Sequence, residues 1–231
     1  GAVVKNGGRV MKNVTGYDLV KLLAGSRGTL GVLSEVSFKV QALPEAEATL
    51  VVEGLGDEAG LAALRVALGS PFDVSGAARH TGRSLIRVEG MAGSVAYRVG
   101  RLGALVGGDV TVAEAEASAM LWRGVRDVAP LTGKTGEVWR IATLPTAAAE
   151  VVSRTGGEAL WDWGGGLVWL LLDSGRGAEV AAAVAGRGHA TLVKGEGAPV
   201  FPPEAPDVAA LVAGLKAKFD PRGILNRGKM G

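Results

Sequence analysis

The sequence predicts an α+β fold built on an antiparallel sheet, and three observations carry that expectation. Strand-like and helix-like stretches follow the order β-α-β-β-α-β, and the same order then returns. Short apolar runs such as TLVVEGL and GLVWLLL alternate with longer segments of helical spacing. A hydrophobic content of 48% over 231 residues supplies enough apolar surface for a real core.

Residues 1–44 form a unit of their own kind. Glycine clusters flank a short helical segment, DLVKLLAG, and an extended run, TLGVLSEVSFKVQAL, leads to Pro44. Alternation in SEVSFKV predicts a half-buried strand, and the first residues also read as part of a strand. Beyond Pro44, strands are expected at 49–55, over DVSGAARH, at 84–90 and at 109–113, with helices at 57–69 and 94–106. A helix over AEASAMLWRGVRDV separates this half from the next. There EVWRIATL, EALWDW, GLVWLLL and HATLVKG read as strands, with helices from Pro145 to Ser153 and over GAEVAAAVAG. Two ferredoxin-like halves would bury both strand sets in one shared antiparallel sheet with helices on a face. The last helix, PDVAALVAGLKAKF, starts on a proline, and a turn-rich tail, DPRGILNRGKMG, follows it.

Composition excludes several function classes. Twenty-five Lys and Arg against 23 Asp and Glu leave a formal charge of +2, too small to attract nucleic acid or anionic lipid. The sequence has no cysteine, so a disulfide, an iron–sulfur cluster, a thiolate zinc site or a cysteinyl flavin link would have to lie elsewhere, and no metal site is expected. No segment has the roughly 18 uninterrupted apolar residues of a membrane span, and GAVVKNGG is not a secretory signal. The opening without Met suggests that a preceding part belongs to the natural protein.

The most informative stretch is GGRVMKNVTGYDLVKLLAGSRGTLGVLSEVSFKV, residues 7–40. Gly16, Gly25, Gly28 and Gly31 remove side chains at close spacing, so backbone amides and carbonyls there could meet a planar ring or a pyrophosphate. Asn13, Thr15, Tyr17, Asp18, Ser26 and Thr29 add hydrogen-bonding groups between them. Ordinary turns and a helix cap at Asp18 would account for the same residues. The stretch carries neither GxGxxG nor a P-loop pattern.

The run KNVTGYDL followed by GSRGTLG resembles the end of the FAD-binding domain in flavoproteins of the vanillyl-alcohol-oxidase (PCMH) type. GGRVMKNVTGYD is particularly similar to the glycolate oxidase GlcE subunits, and the tail FDPRGILNRGKM resembles the ending FDPxGIxNPGxM. The resemblance implies an FAD-dependent oxidoreductase subunit acting on CH–OH donors. Residues 1–44 would be the C-terminal piece of the FAD-binding domain, 45–203 an FAD-linked oxidase cap domain of two ferredoxin-like halves, and 204–231 a helix and tail returning toward the flavin.

Position by position, Arg27, Gly28, Thr29, Leu30, Gly31, Val32 and Leu33 match the segment whose backbone lines the FAD. Asn13, Gly16, Tyr17 and Asp18 match the preceding motif, and Asn226 matches a tail asparagine near the flavin ring. The implied partners are a sister flavoprotein subunit and an iron–sulfur subunit. Glycolate would be oxidised to glyoxylate, in the cytoplasm or on the inner face of the cell membrane through the complex. The pattern also breaks. Nothing corresponds to the family's pyrophosphate loop, Arg227 stands where proline is usual, and the sister subunit's GHxGDGNxH and EHGxG-like motifs are absent.

Oxidising a 2-hydroxy acid needs a base for the hydroxyl proton and a cation for the carboxylate, and no such constellation is evident in the sequence. His189 is expected to be packed or capping, and His80 has little context. Arg79, Arg83, Arg87 and Arg140 could bind a carboxylate, but arginines at sheet edges are usually solvated or paired on the surface. Trp161, Trp163 and Trp169 read as core or interface anchors. Two other readings stay open, a stand-alone FAD-dependent 2-hydroxy-acid dehydrogenase and an interaction module that holds no flavin.

Overall fold

A computed structural model describes residues 1–13, 15–196, 200–201 and 204–229. Met230, the last residue of the tail motif, lies outside the described residues. The first half contains α1 (Leu19–Leu23), β1 (Ala46–Glu53), α2 (Asp57–Leu68), β2 (Gly76–His80), β3 (Arg83–Gly90), α3 (Ala92–Val106), β4 (Asp109–Glu114) and α4 (Ala115–Arg126). Then come β5 (Glu137–Thr143), α5 (Ala148–Thr155), β6 (Glu158–Asp162), β7 (Leu167–Leu172), α6 (Gly177–Val184), β8 (Gly188–Lys194) and α7 (Pro206–Phe219). The chain divides into two compact units, residues 1–42 with 203–231, and residues 43–202.

The larger unit is an eight-stranded antiparallel sheet in the order β4-β1-β3-β2-β6-β7-β5-β8. Its first four strands are the 4-1-3-2 arrangement of a ferredoxin-like β-α-β-β-α-β unit. The last four repeat that arrangement in reverse, so the second strands of the two units meet in the middle, where Arg79 faces Trp161.

Successive strand residues point to opposite faces of the sheet, and in the middle of β1 both faces are buried. Leu50, Val52, Ile86 and Val88 of the first half, with Trp139, Ile141, Val168 and Leu170 of the second, face the apolar stripes of the helices. Leu61 and Leu64 of α2, Val95 and Leu102 of α3, Val151 of α5 and Val180 of α6 complete this core. On the other face α4 lays Trp122 and Val125 over Val51, Ala78 and Leu85. Its docking is fixed by a polar relay. The Trp122 indole N–H donates to Thr49 Oγ1 at 2.8 Å, the Thr49 and Ser118 hydroxyls are 2.6 Å apart, and the Ser118 hydroxyl donates to Glu47 at 2.6 Å. Every member has a partner, which a polar group at a buried helix–sheet contact requires.

Three expectations need correction. SEVSFKV forms no strand, and the first residues form none either. Val36, Phe38 and Val40 are exposed, because alternation favours an extended chain but only a neighbouring ladder makes it a strand. Arg79 is not a surface arginine; it is 1% exposed. Its Nη2 donates to the Leu55 carbonyl at 2.6 Å, its Nε to Asp57 at 3.0 Å and its Nη1 to the Ser84 hydroxyl at 2.9 Å. The helix expected from Pro145 begins at Ala148, since residues 145–147 form the turn that leads into it. No helix among the described residues is long and apolar enough to cross a membrane.

Candidate functional site

The smaller unit places the glycine-rich segment against the tail. Asp18 is the N-cap of α1, accepting the Lys21 backbone N–H at 3.2 Å and the Lys21 ammonium at 2.6 Å. Those bonds, the side-chain one foremost, hold its carboxyl below the ordinary carboxylate value. After the helix the chain turns sharply at 26–29. The Thr29 N–H donates to the Ser26 carbonyl at 2.9 Å, with Arg27 at φ 50° and Gly28 at φ 72°. Positive φ at both central positions defines a type I′ turn, for which glycine at the second is the favoured residue.

The tail grips this turn. Asn226 donates from Nδ2 to the Arg27 carbonyl at 2.6 Å, joining residues far apart in the chain. Lys216, in the last turn of α7, donates to the Thr29 carbonyl at 2.7 Å, to Asp220 at 2.7 Å and to the Leu225 carbonyl at 2.9 Å. Its three ammonium donors are thus used in full. Asp220 also accepts the Ile224 and Leu225 N–H groups at 3.1 and 2.8 Å. Sequence reading singled out Asn226 but neither Lys216 nor Asp220. The available signal was their i, i+4 spacing at the end of a helix.

These contacts frame a cavity of about 390 Å³. Gly28, Gly31, Val32, Leu33 and Asn226 line it, with Leu23, Ser26, Ile224 and Leu225. Arg27 joins the same cluster through its carbonyl, and buried Thr29 and half-buried Leu30 lie in the supporting chain. Asn13, Gly16, Tyr17 and Asp18 are not among the lining residues. Asn13 accepts the Thr15 N–H at 3.0 Å, the Tyr17 carbonyl accepts from Asn6 at 2.9 Å, and the Tyr17 ring is exposed.

The Lys216 ammonium, with two backbone N–H groups, holds the Asp220 carboxyl down at about 2, against an ordinary 3.8. In the unfolded chain this carboxyl takes up its proton first. Its stabilisation is therefore complete above pH 3.8 and is lost as the pH falls through about 2. Protection of the Ile224 and Leu225 amides, taken as their exchange relative to an unstructured peptide at the same pH, is expected to fall over that window, and in Asp220→Asn to be low and unchanged across it. Protection that stays constant with pH in the unsubstituted protein would show that Asp220 does not hold the tail.

The other residues singled out from sequence lie in the larger unit. His80 Nε2 is 3.3 Å from Glu158, yet burial lowers its pKa and favours the neutral imidazole. His189 is exposed on β8 rather than packed. Arg83 pairs with Glu53 and Arg87 with Glu89, each at 3.2 Å. Trp161 is buried, Trp169 is half-buried and Trp163 is exposed. No cluster of metal-ligating side chains occurs among the described residues.

No family model matches the chain. It is 36% identical to glycolate oxidase subunit GlcE of Escherichia coli over 232 aligned residues, which take in 100% of the chain and 62% of that relative. Glycolate oxidase subunit GlcD of Bacillus subtilis is 43% identical over 51 residues, 22% of the chain and 11% of the relative. An FAD-linked oxidoreductase of Mycobacterium tuberculosis is 48% identical over 40 residues, 17% of the chain and 9% of the relative. The chain therefore spans less than two thirds of the length of each of these proteins. It is related to glycolate oxidase subunit GlcE along its whole extent, and its wider relatives include FAD-linked oxidoreductases.

Proposed function

We propose that the chain is part of the FAD-binding subunit of a glycolate oxidase, oxidising glycolate to glyoxylate and passing electrons to an iron–sulfur partner. The observation that carries this reading is the glycine-lined cavity in a chain similar throughout to GlcE. Residues 1–44 and the tail act as the flavin-holding piece, and residues 45–203 as the cap domain. The donor set fits a flavin. Leu23, Val32, Leu33 and Ile224 offer apolar surface to a planar ring, and Asn226 supplies an amide. A Cβ added at Gly31 would have Leu23 Cδ2, at 4.0 Å, as its nearest neighbour, so this glycine leaves room a ligand can take.

Bound FAD supplies the two-electron acceptor. This chain's residues hold and orient it. The Lys216–Asp220 pair fixes the tail, Asn226 fixes the Arg27 carbonyl, and the turn keeps Gly28 and Gly31 at the cavity wall. The cavity lining carries no titratable side chain among the described residues. The base for the glycolate hydroxyl is accordingly assigned to the sister flavoprotein subunit. Asn13, Gly16, Tyr17 and Asp18 then shape the approach to the site. Exposed Val36, Phe38 and Val40 support a larger FAD domain whose remaining strands cover them. On this reading the complex works in the cytoplasm or, through its partners, at the inner face of the cell membrane.

Co-expression with the sister and iron–sulfur subunits tests the reading. Expected are a co-purified complex that releases more flavin on denaturation than its sister subunit carries alone, and glycolate-dependent reduction of an artificial acceptor. Turnover by the chain's own polypeptide alone would instead make it a stand-alone dehydrogenase, and a complex that releases no flavin beyond the sister subunit's would remove the flavin assignment.

A further inference from the structure

Of the four arginines that the sequence offers as carboxylate ligands, the structure disposes of three. Arg79 is buried and saturated with acceptors, Arg83 is paired with Glu53, and Arg87 is paired with Glu89. Arg140 differs from them. It is half-buried on β5, and no described residue accepts a hydrogen bond from its guanidinium or forms an ion pair with it. Its guanidinium carbon sits 5.7 Å from the Trp163 ring centre and 6.0 Å from that of Trp169. Both distances lie within cation–π range, so the indoles steady the cation without using its donors.

The surroundings are built for display. Thr191 on β8 and Trp169 on β7 stand directly opposite Arg140, so the three share one face of the sheet. In the first half α4 covers this face, whereas here Trp163 is 57% and Val193 54% exposed. Trp163 is also held in the left-handed region at φ 53°, with its N–H donated to Asp162 at 2.7 Å. A bulky residue in that conformation is strained, and such strain collects at binding sites.

We infer that Arg140 recognises a small carboxylate anion on the open face of the second half. The planar guanidinium fork matches a carboxylate by two parallel N–H···O bonds. One positive charge balances one carboxylate, and the flanking indoles admit a flat group while shedding water from the pair. The inference rests on the arginine's surroundings alone and does not depend on flavin binding.

The test is titration of the purified protein with sodium glycolate and sodium acetate, followed by indole fluorescence and calorimetry, against sodium chloride at equal ionic strength. Saturable binding of both carboxylates but not chloride is expected. Arg140→Ala should weaken it about tenfold or more, as loss of a charged hydrogen-bond partner does. Arg140→Lys, which keeps the charge but loses the fork, should fall between. Arg140→Lys should melt with the unsubstituted protein and Arg140→Ala only slightly below it, since the side chain's described contacts are those with the two indoles. Equal affinity in Arg140→Ala would overturn the inference. So would saturation by an acidic peptide with none by glycolate or acetate, which would assign the arginine to a partner's side chain. Flavin content of the same variants reports on the flavin reading separately.

Discussion

Gly31→Val is expected to strip FAD from the protein while leaving it folded. The backbone at Gly31 is not in the left-handed region, and the new Cβ finds only Leu23 Cδ2 at 4.0 Å, so the fold accepts the side chain. The added methyls instead enter the cavity of about 390 Å³ that Gly31 helps to line. Overfilling a fitted site costs about 1–3 kcal/mol, so affinity for FAD should fall roughly 5- to 150-fold. The ratio of flavin to protein absorbance after reconstitution reads this directly. Gly28→Val should behave differently. Gly28 has φ 72°, and a Cβ there would lie 2.9 Å from Asn226 Nδ2, so valine strains the turn and dislodges the tail. That variant should lose stability and flavin together. Wild-type flavin content in folded Gly31→Val would mean that the segment does not hold the cofactor.

The second large effect is expected at the centre of the sheet. Arg79→Ala removes a side chain that is 1% exposed and leaves the Leu55 carbonyl and the Ser84 hydroxyl without their donor. Breaking a buried pair from one side costs about 3–5 kcal/mol. Asp57 is half open to water, so the lower end, about 3 kcal/mol, applies. For a unit of this size that lowers the melting temperature by roughly 6–12 °C. Arg79→Lys should recover only part of the loss, because one ammonium cannot span acceptors on the β1–α2 connection and on β3 at once. A shift below about 2 °C for the alanine variant would show that the network contributes little.

The strand order and the helices between were legible because their signals are local. Period-two alternation in RSLIRVEG and EVWRIAT, and the stripes of α2 and α3, are written within a dozen residues each. SEVSFKV shows the limit of that signal, since its alternation is equally clear but its ladder depends on a neighbour. Arg79 shows another. Its burial rests on acceptors from the β1–α2 connection, α2 and β3, which no local window contains. At the cavity, Gly28, Gly31 and Asn226 were legible through motif resemblance. Lys216 and Asp220 were not, because one helix-end ion pair looks like any other until its remaining donors and acceptors are followed.

Joining two four-stranded units through their second strands changes how the sheet meets other proteins. Kept apart, the units would present four open margins to solvent, each a template for unwanted pairing. Fused as β2 beside β6, they present only β4 and β8. The β8 margin is partly sealed, since the Leu192 N–H donates to the Val200 carbonyl at 3.0 Å and the register shifts beside it at Val138/Trp139. The β4 margin begins and ends on acidic residues, Asp109 and Glu114. The same eight strands therefore expose half as many edges, and replacing the charges of β4 with apolar side chains is where solubility would be lost first.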